Sequence, residues 1–582
     1  MLSWLFSSPS NPSPPTPAPP GTRVVPCSIL DLNVAQEWVY TVGLVVPAQL
    51  DPQKLKESLL MLIERKFPRA GARLAFRNGA YEFQIPDKFD AETPAASFTV
   101  ERHTDPCPHR DTVLPSSTPS STSKPSLVIT PPPSLATLLR SPTCPQTLSA
   151  FLHPHVPLLH IHLSLYPADD NLTLIGVTMP HIAFDGVGIG VLLRAWTHVL
   201  NHSDGGDWAR GVGSVEGMPW DLVPFGEGDA ARQHRDAVDE GEGEELRLAR
   251  GWFPTTLRGT FTFLARMVYS QLCDPRDVML YVRVPKAWLR GVKAGVMDDL
   301  SGQTSGGGGS EQREKERDWV GSSDVLVAWW VKLLHAHRAP TDTTPLHVHM
   351  AKDLRPLRIF SPSCSSPSDP AASSSPDPLP LPNTYINNAW CNFPALTAPV
   401  SALQRMSVGE VAVRVRRAIL GYTGAGGYSH SDVEGDNRHD VDAGRRNWAA
   451  NILHDVAWLS TKANAQKIKT AQILPCPPDG ECLNLSNWRA AGFGGLDFGG
   501  GVVDGVDADV GETALSSRTD SKKKVKVAFV HWYASSNTST PVPRRQVGTV
   551  LMEDEEVVWV GKMCGAGEAE RVRRIWGDFV GV

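Results

Sequence analysis

The chain has 582 residues, 41% of them hydrophobic, with 17 Trp and a formal net charge of −6, which is enough apolar sequence for two to four domains. Its Lys and Arg are scattered, so no basic field gathers nucleic acid or an anionic membrane surface, and no stretch nears the roughly 18 apolar residues that span a bilayer. The nine Cys are dispersed without a Cys-x-x-Cys pair, which argues against a disulfide framework and for free thiols in a reducing, cytoplasmic compartment.

Residues 1–23 pair a five-residue apolar start with a Pro/Ser-rich run and no basic n-region, so they read as a disordered tail rather than an export signal. A first domain is expected over 24–225, a linker over 226–250 in the acidic, Gly-rich stretch, and a second domain over 251–582. Segments near 108–148, 203–246, 300–318, 361–383, 424–446 and 503–523 are too rich in Ser, Pro, Gly or charge to join a core and are expected as surface insertions.

Asp51 and Pro52 open a helix as N-cap and first-turn proline, with Leu55, Leu59, Leu62 and Ile63 as its apolar stripe. Leu159, Ile161, Leu163 and Leu165 alternate with polar residues, and a turn at Asp169-Asp170-Asn171 sends the chain back through Leu172 to Met179. That returning strand is apolar on both faces and should be central. Pro180 ends it, and Gly186 to Leu200 reads as a buried helix, so His181 falls at a strand-to-helix junction. The second half carries strand signals at 277–284, 346–350, 385–393, 525–533 and 556–562. Helices are expected from Pro285, from a cap at Ser322 or Ser323 through His335, and near 567–578. The fold class is therefore mixed α/β, with sheets covered by helices in two similar domains.

His-x-x-x-Asp occurs twice, at His181 to Asp185 and at His349 to Asp353. With 18 His in the chain, about one match is expected by chance. Only the first has junction geometry, with Asp185 and Gly186 opening a helix. A neutral imidazole there can accept a proton from a substrate. Asp185 falls at the N-cap, where a carboxylate satisfies backbone N–H groups and shapes the loop.

Around this motif the chain resembles the BAHD acyltransferases, including their fungal members. The resemblance is collinear. It runs from Ser28-Ile-Leu-Asp31 through Phe67-Pro68-Arg69-Ala-Gly71 and the hairpin to His181-x-x-x-Asp185-Gly186. It continues through Ser323-Asp-Val-Leu-Val-Ala328, Asp353-Leu-Arg355, Tyr385-Ile-Asn-Asn388, Ser486-Asn-Trp488 and Asp497-Phe-Gly-Gly500-Gly501. It implies two chloramphenicol-acetyltransferase-like domains flanking a solvent channel. It also implies acyl-CoA as co-substrate, no permanently bound cofactor, a small-molecule alcohol or amine acceptor from secondary metabolism, and a monomer.

By the same resemblance His181 is the general base, Ser486 and the Trp488 indole N–H are candidates to steady the acyl carbonyl, and Asp497 pairs with Arg355 in a structural bridge. Two positions depart from the family pattern: Gly500 stands where Trp is usual, and Asn387-Asn388 where Gly-Asn is usual. Two alternatives stay open, a condensation-type enzyme using a carrier-protein thioester and a non-catalytic ligand-binding or regulatory protein on the same fold. No metal is implied, since His160 and His162 lack a completing ligand set and Cys476 and Cys482 supply only two thiols. The Gly306 to Gly309 run lacks a phosphate-loop ending and reads as linker.

Overall fold

The computed structural model describes residues 17–107, 110–114, 123–130, 133–169, 171–203, 206–224, 251–254, 256–304, 319–360, 380–423, 452, 455–456, 473–503, 524–535 and 544–580. Strands of the first half are β1 (Thr22–Pro26), β2 (Val39–Val46), β3 (Arg73–Arg77), β4 (Ala80–Pro86), β5 (Ser97–Arg102), β6 (Ser126–Thr130), β7 (His160–Tyr166) and β8 (Leu172–Pro180). Those of the second are β9 (Phe253–Pro254), β10 (Asp277–Pro285), β11 (Pro345–Asp353), β12 (Trp390–Pro399), β13 (Ile473–Leu474), β14 (Glu481–Asn487), β15 (Phe529–Ser535), β16 (Val547–Glu553) and β17 (Val557–Gly565). The helices that matter most are α1 (Pro52–Lys66), α2 (Gly186–His202), α3 (Ser322–His335) and α4 (Ala566–Val580).

Two large mixed sheets face one another. One has five strands in the order β15-β2-β8-β7-β5, the other seven in the order β12-β11-β14-β16-β17-β10-β6. In β2 and β8 every residue is buried, as expected of interior strands covered on both faces. α1 packs on α2, and Trp196 of α2 donates its indole N–H to Ser58 of α1. Among the described residues no helix is long and apolar enough to cross a membrane.

The sheets do not follow the expected split between 24–225 and 251–582. β6, from the first half, pairs with β10 at the edge of the seven-stranded sheet, while β15, from the second, pairs with β2 in the five-stranded one. The expected linker at 226–250 lies outside the described residues, as do Gly306 to Gly309 and most of the other proposed insertions.

Two of those insertions need correcting where they are described. Within 108–148, Ser126-Leu-Val-Ile-Thr supplies β6, and Val113, Leu138, Leu139 and Cys144 are buried. Within 203–246, Trp208, Val212, Met218 and Leu222 join the main core, and Arg69 donates to the carbonyls of Trp220 and Leu222. In both, a few large apolar side chains outweigh a polar average, because burial rewards individual side chains rather than mean composition.

Element ends also shift. The strand expected over 385–393 starts only at Trp390, leaving 385–389 as loop, and α3 is capped by Gly321 with the Asp324 carboxylate reaching back to the Gly321 N–H.

Candidate active site

Pro180 ends β8 because it has no N–H to give the ladder, and His181 takes up the chain with its N–H on the Trp38 carbonyl at 2.7 Å. The next carbonyls are all satisfied from outside the turn. Asn388 Nδ2 lies 2.9 Å from His181 O and 3.0 Å from Ile182 O, Asn387 Nδ2 donates to Ala183 O at 2.9 Å, and the Tyr40 hydroxyl donates to Phe184 O at 3.0 Å. A bare loop of this length would fray. Here it is clamped by Asn387 and Asn388 from the second half of the chain and by Tyr40 of β2.

Asp185 is the N-cap of α2, with Oδ1 accepting from the Gly188 N–H at 2.7 Å. Its carboxylate also takes the Arg355 guanidinium at 2.9 and 3.0 Å and the Ala389 N–H at 2.8 Å. Arg355 is itself buried and further bonded to Asp353 at 2.9 Å and to the Tyr385 and Asn387 carbonyls. Paired and hydrogen-bonded on every side, the two buried charges lock loop, helix and facing strand together.

The His181 ring lines a cleft between the two sheets that encloses about 990 Å³, mouths included. Tyr40 and Trp390 flank it, with ring centroids 5.1 and 5.6 Å away. Nδ1 is enclosed and has no hydrogen-bond partner. Burial pulls the imidazole below its usual pKa, an effect that hydrogen bonding to its own backbone, the nearby Asp185 charge and the Asn388 side chain offset only in part, so the neutral form is favoured at pH 7.

Ser486 and Trp488 line the same cleft from β14 and the residue after it. Trp488 lies against Gly186 so closely that a Cβ there would fall 2.5 Å from the indole Nε1. Gly186 is thus needed for close approach, and any side chain would push the indole out of the cleft. The site therefore gathers the His181 imidazole, the Ser486 hydroxyl and the Trp488 indole in one cleft, beside Tyr40, Thr549 and three further Trp residues.

Relatives named as acyltransferases match the chain. Acetyltransferase adrJ of Penicillium rubens is 25% identical over 564 residues, 95% of each chain. O-acyltransferase pboC of Aspergillus ustus is 26% identical over 64% of this chain and 68% of its own. Transcriptional regulator calD of Penicillium decumbens is 26% identical over 57% of this chain and 60% of its own. Among solved structures, Fusarium sporotrichioides TRI101, complexed with coenzyme A and T-2, superposes with a TM-score of 0.51 over 95% of this chain and 97% of its own at 14% identity, a likeness of fold. No family model matches. The chain is thus similar over most of its length to a protein named as an acetyltransferase, and it shares the fold of TRI101.

The bridge that the resemblance implied is not formed. Asp497 does not reach Arg355. Its Oδ1 accepts from the Gly499 and Val525 N–H groups, and its carbonyl accepts from Asn201. Asn201 stands at the C-terminal end of α2 and Asp185 at its N-terminus, and a helix of this length is about 25 Å long. The two acidic residues therefore serve opposite ends of one helix.

Gly500 also has a local reason. A Cβ there would fall 1.9 Å from the Leu200 carbonyl oxygen, and its N–H donates to Asn201 Oδ1. The helix end fills the room that a Trp would take.

The second motif histidine, His349, is fully buried, donates Nε2 to the Pro475 carbonyl and is held neutral by burial with a pKa of about 4. It does not line the cleft. Asn484 and Trp532 do, and each carries a buried polar atom with no partner. Neither they nor Trp38 and Tyr40 stand in a pattern that marks them in the sequence.

Proposed function

We propose that the protein transfers an acyl group from acyl-CoA to a hydroxyl of a small-molecule acceptor, with His181 as general base. The observation that carries this is the His181 ring in the wall of the inter-sheet cleft, where burial favours its neutral form. Nε2 takes the proton from the acceptor hydroxyl as its oxygen attacks the thioester carbonyl, forming a C–O bond in a ternary complex. The tetrahedral oxyanion is met by the Trp488 indole N–H and the Ser486 hydroxyl. Collapse breaks the C–S bond, and the imidazolium returns its proton to the leaving sulfur, so the products are an ester and free coenzyme A. Asp185, Gly186 and Arg355 hold the base and Trp488 in place. An amine acceptor would follow the same course, but the O-acyltransferase name of a relative favours a hydroxyl. The single chain carries every group named, so it is taken to act as a monomer, in a reducing cytoplasmic setting that suits its free thiols.

The test is His181→Ala. Thiol release from acetyl-CoA with a competent acceptor should fall to background while thermal unfolding stays within a few degrees of the parent. Turnover at the parental rate would refute the assignment. A second reading, a non-catalytic regulatory protein on this fold, is favoured by the match to a relative named as a transcriptional regulator. It predicts coenzyme A binding by calorimetry with no thiol release across a broad acceptor panel.

A further inference from the structure

The seven-stranded sheet is split beside the cleft. β11 and β14 are paired from Leu346 with Glu481 to Met350 with Leu485 and no further. Beyond that point β11 pairs only with β12, to Asp353, while β14 pairs only with β16, to Asn487. Ala351, Lys352 and Asp353 on one bank and Leu485, Ser486 and Asn487 on the other all line the cleft. Successive residues of a strand point to opposite faces, so a cleft that touches three in a row on both banks enters between the strands.

Under this fork lies a second, small space that shares Leu485, Ser486, Asn487 and Thr549 with the cleft. Its far wall is apolar: Leu326, Val327 and Trp330 from α3, then Met350, Val550 and Val560. It has free room for a group about the size of one methyl. Gly548 keeps it open on one side, since a Cβ there would stand 2.9 Å from Leu485 and 3.4 Å from the Trp330 Nε1.

We propose that the fork between β11 and β14 is the acyl-tail subsite, and that it selects short, unbranched aliphatic acyl groups by stopping the chain end against Trp330, Val327 and Met350. This rests on the acyl-CoA reading above. The fork opens beside Ser486, so a carbonyl held there aims its tail into the split. An apolar dead end rewards each methylene until the space is full and penalises the next one by overpacking.

The experiment measures kcat/KM for acetyl-, propionyl-, butyryl- and hexanoyl-CoA with one acceptor. The parent should lose about tenfold or more between the longest chain that fits and the next. Met350→Ala and Trp330→Phe should each raise the hexanoyl-to-acetyl ratio about tenfold. A chain-length profile that both variants leave unmoved overturns the subsite, whereas a parent that releases no thiol from any donor overturns the acyl-CoA reading itself. Should the variants fail to fold, a crystal structure of the parent with S-ethyl-coenzyme A, which cannot transfer, decides: the terminal methyl in the fork supports the subsite, and the methyl elsewhere in the cleft refutes it.

Discussion

At His181, burial lowers the proton affinity of a ring whose position is set by Asn388 through two backbone carbonyls. Because the folded pKa lies below the ordinary value near 6.5, the base form persists from pH 7 downward until that lowered value is crossed. Activity should therefore be level from pH 7 to 8 and fall only well below pH 6.5, read from kcat/KM against pH. Asn388→Ala leaves His181 in the chain but frees its loop. It should lower kcat about tenfold to a hundredfold with little change in KM, since a small misplacement of a base costs rate before binding. Trp488→Phe keeps the ring and removes the N–H, and should cost kcat about a hundredfold if that group meets the oxyanion. His181, Ser486 and Trp488 were named from local motifs, and all three line the one cleft. Asn388 was visible as a motif member but not as a clamp, and Asn484 and Trp532 are assembled from distant strands that no local pattern connects.

At the level of elements, α2 is fastened at both ends by different chemistry. Its start is held by the Asp185–Arg355 ion pair and its end by Asn201, which donates to the Asp497 carbonyl and accepts from the Gly500 N–H. Arg355→Ala strands a buried carboxylate and should cost about 3–5 kcal/mol in urea unfolding, and the double variant with Asp185→Ala should cost less than the sum of the two singles. The helix itself was legible, from its N-cap, its Gly start and its apolar run. Its anchors were not, since the expected Asp497–Arg355 pair required two groups that the helix holds about 25 Å apart. β6 was hidden for another reason: five strand-forming residues sit inside a Ser/Pro-rich stretch whose composition alone argues for a loop.

Across the whole molecule, His349 and His531 are buried neutral, each pushed down to about 4 by burial. The unfolded chain protonates them near pH 6.5, so their contribution is complete above that pH and is lost as the pH falls from 6.5 to 4, on the order of 3 kcal/mol each. Asp31 acts in the opposite sense. Burial raises it to about 6, so its ionisation weakens the fold as the pH rises from about 4 to 6. The two histidines outweigh the one carboxylate, and the denaturation midpoint should drop markedly between pH 6.5 and 4.5. His531 donates Nε2 to the Val113 carbonyl and lies 3.2 Å from the Tyr281 hydroxyl, so its protonation loosens β15 where that strand meets both halves of the chain.

The traded strands carry a consequence for biosynthesis. While a ribosome is making this protein, the five-stranded sheet has no β15 beside β2 until residues 529–535 emerge, almost five hundred residues after β2. Until then the nascent first half carries an open apolar edge, which is the kind of surface that chaperones cover. A fragment truncated after residue 224 should accordingly aggregate or remain unfolded by circular dichroism, although it contains His181 and the whole of its motif.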